Sequence, residues 1–438
     1  MKLGSAFSDN VLEDRGNRRM FTGGIHAWWS GSGRALLFTV VLFVTFFLLV
    51  IRLFDLTVVR GYEFRSLAEG NRTKELVRHA PRGIIYDRTM KPLTQNIAQY
   101  RLIKPCEKGS PQGAPGTSCT EHISEEQKNT LVKNGLPPGS FLEVDYLRRY
   151  LYPDATAHVI GYTGEITKEE LADPYYQLRG YRAGDAVGRT GAELVYEDLL
   201  KGRNGRELVE VSAEGKILRT LGQEKEVPGE ALVVTIDADL SSVIAANFPK
   251  DIKGAVVVSK PQTGEILALY SSPSFSPNSF TLGMSQKEYT ALLGDPNMPM
   301  FNRAIGGVYP PGSTFKIVTS LAALTDAAIT PKTIYEDTGE IRIGPYVFPN
   351  WFYKQYGGKD GSVDVVKALK RSNDIFFYKA GEALGITKLA KLAERFGVGK
   401  PLGIELPGEA SGLMPGPDWK ASQFSTPQDI LQRNNEWY

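Results

Sequence analysis

The sequence predicts an α+β protein with a single N-terminal transmembrane helix, an extended module of small layers, and an antiparallel sheet carrying a helical cluster. Three observations carry this. Residues 35–51, ALLFTVVLFVTFFLLVI, form an uncharged apolar run. From Leu56 to about Gln223, short strand-like runs alternate with charged segments, and no long apolar stretch marks a large core. Beyond Pro228-Gly229, a hairpin pattern is followed by several helical segments, the order expected of an α+β layer.

The apolar run comes first. Seventeen helical residues reach ~26 Å, short of the ~30 Å hydrocarbon layer. The span closes if Leu53 and Phe54 join it and Arg34 and Arg52 snorkel to the interfaces. Trp28 and Trp29 suit an interfacial belt. A cleaved signal peptide would end in a small-residue site, but Arg-Leu-Phe-Asp-Leu follows instead. A buried core helix would show a polar face, which this run lacks. Lys2, Arg15, Arg18, Arg19 and Arg34 precede the run and Arg52, Arg60 and Arg65 follow it closely, so the positive-inside bias favours a cytoplasmic N-terminus with the bulk of the chain outside. The expected division is a cytoplasmic tail 1–34, a membrane helix 35–54, a second domain 55–228 and a third 229–438. In an oxidising compartment, Cys106 and Cys119, which bracket a Gly/Pro/Ser-rich stretch, can form a loop disulfide or stay as two thiols.

In the second domain, residues 76–86 read as a strand with a turn at Pro81-Arg82-Gly83, and 125–133 as a short helix. Residues 142–152 are amphipathic and rich in Arg and Tyr; 190–200 reads as one helix stopped by Gly202; 209–211 alternates as a strand does. In the third, 232–236 reads as a strand, 238–247 as a helix, and 254–260 with 265–272 as a hairpin about Pro261-Gln262-Thr263-Gly264. Helices are expected over 313–328, 363–381 and 387–396.

Composition narrows the function. The 438 residues carry 51 Lys+Arg against 49 Asp+Glu, a net charge of +2, which leaves no electrostatic footprint for nucleic acid. Two cysteines and four scattered histidines (His26, His79, His122, His158) offer no metal-ligand spacing. The chemistry concentrates at Tyr309-Pro310-Pro311-Gly312-Ser313-Thr314-Phe315-Lys316. Two prolines and a glycine keep a helix from starting earlier, so Ser313 falls at its first turn with Lys316 on the same face. Lys316 lies among Phe315, Ile317, Val318 and Leu321, where burial would favour the neutral amine, the base an activated serine needs. A Ser-x-x-Lys match is weak alone, since a capping serine followed by a surface lysine gives the same pattern. This one is unique in the chain, follows Pro-Pro-Gly and opens an apolar helix. Ser372-Asn373-Asp374 is a second candidate, projecting either into a cleft or into a local capping turn.

With an N-terminal anchor, Ser313-Thr314-Phe315-Lys316 and Ser372-Asn373-Asp374, the sequence resembles the class B penicillin-binding proteins, the peptidoglycan D,D-transpeptidases. Pro81-Arg82-Gly83-Ile84-Ile85-Tyr86-Asp87-Arg88 resembles the family's pedestal signature, with Asn71-Arg72, His158-Val159-Ile160-Gly161-Tyr162 and Gly188-Arg189-Thr190-Gly191-Ala192-Glu193 similar to further pedestal segments. Residues 261–268 resemble the opening hairpin of the transpeptidase domain, and Asn302-Arg303-Ala304 leads toward the serine as in the family. The resemblance implies an elongated α+β pedestal over 55–228 and a penicillin-binding/β-lactamase-like transpeptidase domain over 229–438. Ser313 maps to the nucleophile, Lys316 to the base, Ser372 to the proton-relaying hydroxyl, and Asp374 stands where the family usually has Asn. The Ser-x-Asp form is similar to the penicillin-binding protein 2 group, which implies a role in cell elongation over septation.

The implied substrates are peptidoglycan stem peptides, with β-lactams as covalent inhibitors. The implied partners are the membrane, a glycosyltransferase and other wall-synthesis proteins. No cofactor or metal is implied. The family's third motif, Lys-Thr-Gly or Lys-Ser-Gly, occurs nowhere in 1–438, so the transpeptidase domain is expected to be incomplete at its C-terminus and this chain to label poorly with penicillin. A membrane-anchored penicillin-binding scaffold or β-lactam sensor is the alternative. A serine β-lactamase shares the Ser-x-x-Lys chemistry but usually lacks both anchor and pedestal.

Overall fold

A computed structural model describes residues 32–62, 72–106, 118–212 and 216–423. The tail with Trp28 and Trp29, the residue Asn71, most of the loop between the cysteines and the C-terminal residues 424–438 lie outside the described residues. The chain divides into two compact units: residues 1–75 with 208–221, and residues 76–207 with 222–438.

In the first unit, the apolar run forms the helix Ser32–Phe54, continued by one π-helical turn, Asp55–Val59. The helix of 23 residues includes Arg34 and Arg52, so its charge-free part stays at ~26 Å and the span closes with Leu53 and Phe54 inside and both arginines reaching to the interfaces. Its large apolar side chains from Leu36 to Phe54 are all exposed to the surroundings, as in a helix whose solvent is lipid. Arg52 pairs with Asp55 at 2.9 Å where the polar sequence resumes.

The second unit opens on an antiparallel three-stranded sheet, with Thr94–Pro105 central between Ser118–Ile123 and Phe141–Tyr150. The Arg/Tyr-rich segment is this last strand, in register Thr94 with Tyr150 through Ile103 with Phe141. Cys106 and Cys119 are joined as a disulfide, Cα atoms 4.9 Å apart, at the end of the Thr94–Pro105 and Ser118–Ile123 pair. The helix Glu125–Asn134 starts at a capping box in which Ser124 and Gln127 satisfy each other's backbone N–H groups.

The signature at 81–88 acquires a physical reason. Arg82 is buried and grips two carboxylates, Glu193 at 2.8 Å and Glu197 at 2.7 Å, while Arg148 holds the other oxygen of Glu193 at 2.7 Å. Burial pushes the Glu193 carboxyl up, but Arg148 and Arg82 overcome it and hold it below the usual carboxylate range. Tyr181 donates to Glu197, and so does the backbone of Gly188. Both carboxylates come from 190–200, which is not one helix but two, Gly191–Val195 and Glu197–Leu200, broken at Tyr196. Gly83 runs so close to Glu230 that a Cβ would sit 1.8 Å from its carbonyl oxygen. Asp87 accepts from Thr89 and Lys91 with one oxygen and from the Ala238 backbone with the other, fixing a turn against the next helix.

Apolar residues from both sides of Pro228-Gly229 pack together. One apolar cluster contains Ile85, Leu93, Ile160 and Leu200 together with Ile236, Leu269, Phe275 and Ile305. The hairpin forms with Gly254–Ser259 antiparallel to Ile266–Ser272, after the helix Ala238–Asn247. A second cluster, Ala322, Ala323, Val365, Phe376, Phe377 and Ala380 among others, gathers the helices that carry the chemistry.

Candidate active site

Ser313 lies in a single 3-10 turn, Gly312–Thr314, that feeds the helix Phe315–Thr325. Pro311 ends the extended approach, Gly312 adopts φ +55°, and the Thr314 hydroxyl donates back to the Pro311 carbonyl at 2.6 Å. The serine is solvent-exposed; Lys316, on the first turn of the helix, is not, with its side chain 14% exposed. Its shelter differs from the sequence expectation. Ile317 and Leu321 point outward, at 57% and 43% exposure. Lys316 is covered from the facing helix instead, with Phe377 5.7 Å from its ammonium.

The expected helix 363–381 is interrupted. Val365–Arg371 ends at Ser372, which adopts left-handed angles, φ 53° and ψ 41°, and Asp374–Leu384 begins a new helix capped by Asn373. The capping turn and the candidate site are therefore the same structure: Asn373 caps, while Ser372 meets Ser313 and Asp374 meets Lys316.

All four candidate side chains meet. Ser372 Oγ lies 2.7 Å from Ser313 Oγ and accepts from Lys316 Nζ at 3.1 Å. Lys316 also donates to the Ser372 carbonyl at 2.7 Å and to Asp374 Oδ1 at 2.5 Å. The three protons of a lysine ammonium thus each find an acceptor, and one of these is a carboxylate. Ser313 is linked to Lys316 through Ser372.

Two further residues hold this arrangement and carry no motif that could have announced them. The Trp351 backbone N–H donates to Asp374 Oδ2 at 2.9 Å, and its indole N–H donates to the Arg371 carbonyl at 2.9 Å, directly before Ser372. Asn350 accepts from the Asp374 backbone at 3.2 Å.

Comparison with known proteins places the chain in a family. Residues 254–432 match the family Penicillin binding protein transpeptidase domain, and residues 110–234 match the Penicillin-binding Protein dimerisation domain. The chain is 34% identical over 417 residues to the peptidoglycan D,D-transpeptidase MrdA of Escherichia coli, covering 86% of this chain and 64% of that protein. The chain thus spans less than two thirds of the length of that relative. Among solved structures, a penicillin-binding protein 2 in complex with MreC from Helicobacter pylori superposes with a TM-score of 0.69 at 25% identity, over 83% of this chain and 73% of that one. A structure described as a peptidoglycan synthase complex that coordinates polymerization and crosslinking aligns at 29% identity and a TM-score of 0.63, over 93% of this chain and 74% of that one. The chain belongs to the class B penicillin-binding proteins, in the penicillin-binding protein 2 group.

Proposed function

We propose that this chain is the membrane-anchored part of a D,D-transpeptidase that cross-links peptidoglycan stem peptides through an acyl-enzyme on Ser313. The observation that carries the reading is the continuous line from Ser313 Oγ through Ser372 Oγ to Lys316 Nζ, ending on Asp374.

At rest, Lys316 donates to Ser372. For the line to run the other way, Lys316 first gives a proton to Asp374 or to solvent and becomes the amine. Ser313 then passes its proton to Ser372 as Ser372 passes its own to Lys316. The freed Ser313 oxygen bonds to the carbonyl carbon of the penultimate D-Ala, and the oxyanion is met by the backbone N–H of Ser313. Collapse breaks the C–N bond; the proton returns from Lys316 by way of Ser372 to the departing D-Ala amine. A second stem's amine attacks the ester, forms the cross-link and restores the Ser313 hydroxyl. β-Lactams enter the same first half-reaction and stay as the ester.

The helix Ser32–Phe54 would then anchor the protein in the inner membrane. Its N-terminus would be cytoplasmic and its pedestal and transpeptidase domains outside, which the arginines ahead of the span support. Likeness to structures named for MreC and for a peptidoglycan synthase complex supports wall-synthesis partners; a glycosyltransferase among them and a role in elongation are part of the proposal. The test is labelled-penicillin acylation of the complete gene product. The reading expects one label per molecule, absent from Ser313→Ala. An unlabelled wild-type protein would overturn the reading; a protein labelled on Ser313 that forms no cross-linked product from stem peptides would leave the scaffold or sensor alternative in its place.

A further inference from the structure

The left-handed Ser372 has to be held there. A non-glycine residue in this region costs on the order of 1 kcal/mol or more and persists where its surroundings over-determine it. The surroundings converge on one buried carboxylate, Asp337, at the end of the strand Tyr335–Asp337. Asp337, Asn350 and Asn373 are all at or below 2% exposure. Asp337 Oδ2 accepts from Asn350 Nδ2 at 2.8 Å, from Asn373 Nδ2 at 2.9 Å and from the Asp360 backbone at 2.9 Å; Oδ1 accepts from the Gly339 backbone at 2.7 Å. Burial pushes this carboxyl up, but these four donors outweigh it and keep it below the usual range, as an anion.

Each asparagine held by Asp337 turns its other end to the Ser372–Asp374 turn. Asn350 Oδ1 accepts from the Asp374 backbone, and Asn373 Oδ1 accepts from the Phe376 backbone at 2.9 Å, starting the helix that carries Asp374. Asn373 also reaches Asp360 Oδ2 at 3.0 Å, and Asp360 is held in turn by Arg371 at 3.1 Å. With both amides oriented by one anion, the backbone N–H groups of Asp374 and Phe376, just after Ser372, are held by a single connected network.

We propose that Asp337 is a positioning residue for the transpeptidation reaction, fixing the Ser372 hydroxyl between Ser313 and Lys316 without touching either. This rests on the acyl-enzyme reading above. Asp337→Asn keeps shape but turns one acceptor oxygen into a donor facing N–H groups. Ser372 should then sample other positions, and displacement of a reacting group by about 1 Å costs on the order of 10²-fold in rate.

The test is the acylation rate constant and the final stoichiometry of labelled penicillin on the complete gene product, in wild type, Asp337→Asn, Ser372→Ala and the double variant. The expected result is a rate about 10²-fold lower in Asp337→Asn, with close to one label per molecule at completion, and less than about a 2-fold further loss when Asp337→Asn is added to Ser372→Ala. Asn350→Ala, which keeps the charge but cuts one branch, should show the same dependence on Ser372 if Asp337→Asn does not fold. A wild-type rate in Asp337→Asn, or losses that multiply in the double variant, would overturn the inference. So would a fall in stoichiometry at an unchanged rate, because that is the signature of misfolding alone. An unlabelled wild type would instead sink the reading on which it rests.

Discussion

At the residue scale, the four candidate side chains differ in what each bond does. Ser372 bridges two groups, so Ser372→Ala should cut penicillin acylation by about 10²-fold or more, the range for loss of a placed proton-transfer group, with little change in the pre-acylation dissociation constant. Asp374 contributes both a charge beside Lys316 and an acceptor for the Trp351 backbone. Asp374→Asn preserves the second and removes the first. Acylation within a few-fold of wild type would mean that the position only hydrogen-bonds, and a loss beyond about 10²-fold would mean that the charge is required; the three-acceptor cage around Lys316 predicts the loss. Spacing alone offered Ser313 with Lys316 and Ser372 with Asp374 only as weak candidates, and it was the resemblance to class B penicillin-binding proteins that brought the two pairs together. The reason for the burial of Lys316 was not legible: sequence neighbours such as Ile317 face outward, and the cover comes from Phe377, brought in by the fold.

At the element scale, interruptions carry the function. The stretch 363–381 has helical periodicity throughout, and nothing in it but Ser-Asn-Asp marks where the helix stops. At the stop, Asn373 and Asp374 bond Asp337 and Asn350, which lie 36 and 24 positions away and become neighbours only on folding. The pedestal motifs behave in the same way. Arg82 and Glu193 were each visible in a signature, but their partnership, 111 positions apart, was not. Glu193→Gln leaves two buried arginines sharing a neutral amide, so the unfolding free energy should drop by about 3–5 kcal/mol in chemical denaturation. By contrast, Lys91–Asp239 is an exposed pair, and Asp239→Asn should leave the midpoint unmoved. Equal effects from the two would contradict this assignment.

At the scale of the whole molecule, the core that joins residues on both sides of 228 includes a pH-sensitive member. His158 is buried against Phe275 and donates its Nε2 proton to the Pro299 carbonyl at 2.8 Å. Burial, aided by Arg303, lowers its pKa from 6.5 to about 4. The fold therefore favours the neutral ring: the stabilisation is complete above pH 6.5, shrinks as pH falls and is lost below about pH 4. The difference between a free and a buried imidazole is then worth roughly 3 kcal/mol across that window. Denaturation midpoints of wild type and His158→Phe at pH 8, 6 and 4.5 should show the wild type losing ground to the variant toward acid; parallel curves would show that His158 titrates normally. The anchor, the α+β class and the division of labour between hairpin and helices were readable because hydropathy runs and helical periods are local properties. The single core linking Ile85 with Ile305 was not, because no local signal records which apolar faces meet.

The most direct test of Ser313 as the nucleophile is mass spectrometry of peptides from the complete gene product after reaction with a penicillin. A single acyl adduct is expected on the peptide containing Ser313, formed slowly in Ser372→Ala and absent in Ser313→Ala. An adduct on any other residue, or a protein that stays unmodified, would contradict the assignment.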